Sequence, residues 1–252
     1  MKKLLYFMLL CLVITAGNSC SKTDNYGAPS ETLTGNVIDS TTGKTLQTEI
    51  GSGGVRIRLD EMSYSATPTP FYFYAKQDGT FSNTKIFKGN YRITVEGPFV
   101  PLLQNDATGA IVVDKRVTME VTGTTNVDFK VQPLLKVEWV GEPVLNSDGT
   151  VTASFKFSRG TTNTGFQNNI SDVFMFINAT QYVGNNNYDN RYSIQQSYSG
   201  IAGNTVAGQT ITLTTKGGAL PAKRSWFLRV GARTGYGLKQ YNYTDVKTMV
   251  LP

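Results

Sequence analysis

Two short stretches, Val55-Arg56-Ile57-Arg58-Leu59 and Tyr91-Arg92-Ile93-Thr94-Val95, alternate apolar and polar side chains. Successive strand residues point to opposite faces, so such a pattern specifies a half-buried β-strand and excludes a helix there. The pattern recurs along the chain. Thr32–Asp39 alternates more weakly, and strands are expected near 111–113, 117–121 and 125–131. Turn formers separate these runs: Ser40-Thr41-Thr42-Gly43-Lys44, Thr67-Pro68-Thr69-Pro70 and Gln77-Asp78-Gly79. Asp-Gly favours a tight hairpin, so residues 71–75 are expected to pair with the segment that follows Gly79. No segment carries a helical stripe with caps. The expected fold is all-β, with antiparallel sandwiches.

The composition shifts near Gln132-Pro133, where the domain boundary is placed. Beyond it, Leu135, Val137 and Trp139 share one strand face. Asn146-Ser147-Asp148-Gly149 is a turn, and Val151–Phe157 is the next strand. Val173–Ile177 is apolar throughout, as a strand buried on both faces would be. Ile211–Thr215 follows. Trp226, Leu228, Val230 and Ala232 face the expected core, with Arg229 and Arg233 facing water, and residues 241–251 close the sheet.

Composition narrows the chemistry. The 252 residues include no histidine and two cysteines, both among the first 20. His-based triads, His-containing zinc sites and Cys-x-x-Cys motifs are therefore excluded. A glycosidase needs two facing carboxylates. Asp60 and Glu61 are adjacent and point to opposite faces, while Asp172, Asp189 and Asp245 are dispersed. The chain reads as a non-enzyme. Its formal charge is +6, and basic residues are scattered, with Lys223-Arg224 the adjacent pair of the second half, so no nucleic-acid partner is expected. No cofactor is expected. Asn185–Asp189 offers one carboxylate, Asp189, which is too few for calcium, so no metal site is expected.

The first residues read MKKLLYFMLLCLVITAGNSC. A basic start, an apolar run too short to span a bilayer and a small-residue exit indicate a secretory leader. Gly17-Asn18-Ser19-Cys20 resembles a bacterial lipoprotein box, in which the cysteine becomes the lipid-bearing N-terminus. Lipid attachment is therefore expected at Cys20, and Cys11 leaves with the leader. Residues 1–19 are read as signal peptide and 20–30 as a lipidated tether. An acidic residue soon after the cysteine can mark such lipoproteins for surface export in Bacteroidetes, and Asp24 stands there.

The first half also carries a resemblance. Gly35-x-Val37-x-Asp39, Thr42-Gly43, Val55-x-Ile57, Asp78-Gly79-x-Phe81 and Gly89-x-Tyr91-x-Ile93 occur in that order. They resemble carboxypeptidase-regulatory-like domains, which are transthyretin-like sandwiches, over residues 31–133. Residues 226–233 with Tyr241-Asn242-Tyr243-Thr244 resemble the last strands of an immunoglobulin or fibronectin-III-like domain, assigned to 134–252. With Glu49-Ile50-Gly51-Ser52-Gly53-Gly54 and Glu96-Gly97-Pro98-Phe99, the whole is similar to an uncharacterised two-domain surface lipoprotein family of Bacteroidetes. Its members are often encoded beside starch-utilisation-type outer-membrane transporters. The resemblance implies an outer-membrane, surface-exposed accessory protein of polysaccharide uptake, with oligo- or polysaccharide and transporter components as partners. The alternative is an adhesion or structural protein without affinity for soluble glycan.

The candidate glycan contacts lie in the Tyr/Asn-rich segment 182–192, because rings stack on sugar faces and amides bond hydroxyls. They are Tyr182, Asn186, Tyr188, Asp189 and Tyr192. Each also fits an ordinary polar loop, since Asn and Gly form turns. Tyr236, between two glycines, is either an exposed platform or a packed corner residue. Trp139 and Trp226 lie on apolar faces and are read as core.

Overall fold

The computed structural model describes residues 27–251; the leader, Cys20 and the start of the tether lie outside the described residues. The first half contains β1 (Glu31–Asp39), β2 (Arg56–Glu61), β3 (Phe71–Tyr74), β4 (Thr80–Ile86), β5 (Gly89–Glu96), β6 (Leu103–Asn105), β7 (Ile111–Asp114), β8 (Val117–Val121), β9 (Thr124–Asn126) and β10 (Phe129–Val131). The second contains β11 (Leu135–Trp139), β12 (Val144–Leu145), β13 (Val151–Arg159), β14 (Ile170–Asn178), β15 (Ile194–Ser197), a helical turn α1 (Ala202–Thr205), β16 (Thr210–Thr214), β17 (Arg224–Thr234), β18 (Asn242–Tyr243) and β19 (Lys247–Leu251). The all-β expectation holds.

In the first domain an antiparallel sheet, β3-β2-β5-β8, faces a second one in which β1 lies between β4 and the β9/β10 pair. Leu33, Ile57, Leu59, Phe81, Ile93 and Phe129 fill the space between them. β1 runs parallel to β9 and β10, because the first and last strands of the domain meet side by side. Gly35 is required at this contact: a Cβ there would lie 1.8 Å from the Val127 carbonyl oxygen. The hairpin expected across Asp78-Gly79 does not form. β3 pairs with β2 and β4 with β1, so this turn carries the chain from one sheet to the other. Gly79, at φ +80°, fits it against the Leu46 backbone.

In the second domain β11 and β12 share one edge of β13, and β16 takes the other. The opposing sheet is β15-β14-β17, with β18 and β19 in tandem on β17. Phe155, Phe157, Met175, Trp226, Leu228 and Val230 form the core, so Trp226 is core as expected. Trp139 packs at its margin and donates its indole N–H to the Asp245 carbonyl. β14 is buried on both faces. Val173, Met175 and Ile177 point inward, while Phe174 and Phe176 join Val183, Tyr241 and Tyr243 on the outer face.

That outer face is where the expectation for Arg229 fails. Alternation correctly puts Arg229 opposite Leu228 and Val230, but the face meets the first domain instead of water. Arg229 is 0% exposed. Its guanidinium donates to Thr244 O (2.9 Å), Thr48 O (2.7 Å) and Gln47 Oε1 (3.3 Å), and stacks 4.2 Å from the Tyr243 ring centroid. Burial lowers its pKa to about 10, which leaves it charged at neutral pH. Arg233, also expected in water, is half-buried against Asp172.

Beside Arg229, Tyr243 donates to the buried Glu49 carboxylate at 3.0 Å, and Glu49 also accepts from Asn186 N at 3.2 Å. Gln240 Nε2 reaches Gly54 O (2.6 Å), and Gln77 Nε2 reaches Val183 O (3.1 Å). Asn242 clasps the linker itself: its amide donates to Pro98 O (2.9 Å) and its carbonyl accepts from Leu135 N (3.0 Å). The passage between the domains is thus hydrogen-bonded on both sides and docks one sandwich rigidly on the other.

Arg229→Ala leaves buried carbonyls of both domains without donors. Losing one side of a buried charged network typically costs about 3–5 kcal/mol. Urea unfolding monitored by circular dichroism is expected to show a loss of that order, together with new proteolytic cleavage near residues 131–135.

Candidate functional site

The seam takes up residues 183–186 of the Tyr/Asn-rich segment, and packing within the second domain takes up Tyr188, Asp189 and Tyr192. Asn186 lies against Gly53 and donates its amide to Ile50 O at 2.8 Å. Tyr192 is buried in the core, with its ring edge-on to Trp226 at 5.4 Å. Tyr188 packs on Phe174 and Phe176 and closes the outer face of the sheet. Asp189 binds Arg191 at 2.7 Å and caps its own turn through Arg191 N. Tyr182, at 51%, and Asn186 are the exposed members of the group. The segment covers an apolar sheet face, and that work uses the rings and amides that made it look like a ligand loop. A Cβ on Gly184 would lie 2.2 Å from the Glu49 carboxylate, so glycine is needed for the cover to close.

Tyr236 stands apart. It stacks edge-on against Phe166, with centroids 5.4 Å apart, and lines a cleft of about 270 Å³ between the two domains. It is therefore a half-buried ring propped on Phe166 at the cleft wall, closer to the packed corner residue than to an exposed platform. The floor is the end of β2 and β5, where Arg56, Thr94 and Glu96 share the outer sheet face. The strap 97–103 forms one wall, and Tyr236, Leu238 and Gln240 form the other. Gly97 lets the strap turn tightly, since a Cβ would press on Phe99 at 2.6 Å.

The polar groups of the cleft are held in place. Arg56 Nε bonds Glu96 Oε2 at 2.6 Å, and its guanidinium stacks 4.5 Å from the Tyr72 centroid. Gln240 is fixed by its bond to Gly54, leaving its Oε1 as an acceptor. Thr94 is 3% exposed, and its hydroxyl has no hydrogen-bond partner among the described residues. A buried hydroxyl without a partner costs about 1–3 kcal/mol. Leu238, 63% exposed, gives the lip an apolar edge. Strand alternation had assigned Arg56 only to a solvated surface. The legible signals were Glu96-Gly97-Pro98-Phe99, which starts the strap, and Gly235-Tyr236-Gly237, which builds the opposite lip.

Family comparison places this arrangement. The N-terminal domain model of DUF3823, a protein of unknown function, matches residues 31–132, and DUF3823_C, a domain of unknown function, matches 140–248. The crystal structure of a DUF3823 family protein from Bacteroides uniformis is 35% identical, with a TM-score of 0.82, covering 89% of this chain and 100% of that one. This chain belongs to the DUF3823 family. The resemblance to an uncharacterised two-domain Bacteroidetes family therefore holds. A DUF3823 protein from Parabacteroides merdae shares the fold at 24% identity and TM-score 0.62, over 88% of this chain and 100% of that one. So does a Bacteroides uniformis protein described as a candidate carbohydrate binding protein, at 22% identity and TM-score 0.66, over 89% and 100%. None of the curated proteins matches this chain.

In this DUF3823 protein a second buried network positions the cleft lip. Asp172, 2% exposed, accepts from Arg233 Nε (2.7 Å), Gln195 Nε2 (2.8 Å), Ser171 Oγ (2.8 Å) and the Tyr241 hydroxyl. Arg233 in turn stacks 4.5 Å from the Tyr241 centroid and donates to Lys239 O at 3.4 Å, which ties down the 235–240 turn. Burial pushes the Asp172 carboxyl up, but the bonds from Arg233, Tyr241, Gln195 and Ser171 outweigh it and hold the pKa below 3.8. Burial and the same carboxylate push the Tyr241 phenol up.

A carboxyl with a depressed folded pKa contributes stability that is present above its unfolded value and lost as pH falls through the folded one. Asp172→Asn is therefore expected to melt lower than wild type at pH 7. The gap should narrow as pH drops below about 4, near the ordinary aspartate value. Thermal melts across that range check it.

Proposed function

We propose that this protein is a non-catalytic, lipid-anchored component of the outer-membrane surface that holds a short stretch of neutral glycan in its interdomain cleft, as an accessory to polysaccharide uptake. The observation that carries the reading is the cleft itself: an aromatic ring and an apolar edge face prepositioned hydroxyl-bonding groups. Tyr236 and Leu238 supply apolar surface for the C–H face of a sugar. Arg56 donates to hydroxyls, and Glu96 and Gln240 accept from them. Ligand sites favour such domain interfaces. Because Glu96 neutralises Arg56, the cleft offers no unbalanced charge to an anionic sugar.

Binding without turnover fits the same groups. Glu96 is the one carboxylate in the cleft lining among the described residues, whereas hydrolysis by paired carboxylates needs two. The leader and the Gly17-Asn18-Ser19-Cys20 box support lipid attachment and export. The carbohydrate-binding description of one protein of the same fold supports the glycan reading.

Affinity electrophoresis of residues 21–252 in gels containing neutral and anionic polysaccharides tests it. Retardation is expected in at least one neutral gel. Loss of Tyr236 stacking, worth about 1.4 kcal/mol, should weaken binding roughly tenfold in Tyr236→Ala. Tyr182→Ala should bind as wild type. No retardation in any gel, or retardation insensitive to Tyr236→Ala, overturns the cleft assignment. Mass spectrometry of the membrane-extracted protein should show acylated Cys20, lost in Cys20→Ala.

A further inference from the structure

The tether and the cleft lie at opposite ends of the first domain. β1 starts at Glu31 beside Ile86 and ends at Asp39 beside Val131, two residues before the linker proline. Across the facing sheet, Glu61 pairs with Tyr91 at the tether end, and Arg56 pairs with Glu96 at the cleft end. The nine residues of β1 span about 30 Å at roughly 3.3 Å each. The domain therefore acts as a spacer between the point where the chain enters and the cleft.

The entry end carries exposed rings. Tyr64 is 69% exposed and Phe87 43%, and with Gly27 and Ala28 they line one open concavity where the tether joins the domain. From Gly27 to Cys20 is seven residues, a reach of at most about 25 Å even when fully extended. An anchor at Cys20 thus keeps this end close to the bilayer.

We propose that the Tyr64–Phe87 end of the first domain rests on the lipid surface, with both rings in the interfacial zone. The molecule then stands upright and presents the cleft away from the membrane. Aromatic rings favour that zone. Charge does not supply the contact: Lys88 is 3.8 Å from Glu120, and Lys85 and Lys88 are outnumbered by Glu31, Glu61 and Glu120, so anionic headgroups are not favoured. The surface therefore fits zwitterionic headgroups. Two rings alone bind weakly, but the short tether holds them at high effective concentration. The inference rests on the lipid-anchor reading, so its test supplies the anchor artificially.

Residues 21–252 contain no cysteine, so Ala66→Cys and Ile201→Cys each give one labelling site, beside the rings and on the second domain. The labelled proteins are attached through an N-terminal histidine tag to phosphatidylcholine vesicles containing a nickel-chelating lipid and brominated acyl chains. The fluorophore at 66 is expected to lose most of its emission and the one at 201 none. Adding Tyr64→Asp and Phe87→Asp should restore the emission at 66, with the circular dichroism spectrum unchanged. An unquenched label at 66, or quenching that persists in the double variant, overturns the proposal. Neither result depends on whether Cys20 is acylated in the cell.

Discussion

Arg229 carries its charge at a position with no access to water, and the architecture is arranged around that fact. Removing a guanidinium from water is costly unless its donors are met and its charge is balanced. Here Thr244 belongs to the second domain, while Thr48 and Gln47 belong to the first. The cation is satisfied only when the two sandwiches are docked. Tyr243 extends the network, with one face on the guanidinium and its hydroxyl on Glu49. The buried cation and the buried carboxylate are thus coupled through an aromatic ring, and each holds backbone from the other domain.

This constraint makes the interdomain cleft possible. Its floor comes from residues 56 and 94–96 and its upper wall from 236–240. Two sandwiches joined by a free linker would not hold those groups in register. Asn242 on the linker, Gln240 on Gly54 and Arg233 on Lys239 turn a junction into a fixed surface. Preorganised polar groups lose little freedom when a ligand arrives, so the proposed glycan contact would cost little ordering.

Strands were legible in the sequence because alternation is local. Residues 55–59, 91–95 and 226–233 show it clearly, and the unbroken apolar run at 173–177 announced a strand covered on both sides. Partner choice was not legible. Asp78-Gly79 marks a tight turn, but whether the flanking strands pair depends on β1 and β2, which lie far away in sequence. Arg229 shows the limit of periodicity: it tells which face a residue occupies, not what covers that face. Tyr188 and Tyr192 show a related limit, since a ring in a polar loop can cover a sheet face or enter the core as readily as meet a ligand. Of the candidate contacts only Tyr236 lines the cleft, because the cleft is assembled from residues 56, 94–103 and 236–240, which lie far apart in sequence and share no local pattern.

Calorimetric unfolding of residues 21–252 tests the central claim, that the Arg229 seam makes two sandwiches one cooperative body. A single transition is expected, with equal calorimetric and van't Hoff enthalpies. Two resolved transitions in the wild-type protein, each with the enthalpy of one sandwich, would contradict it.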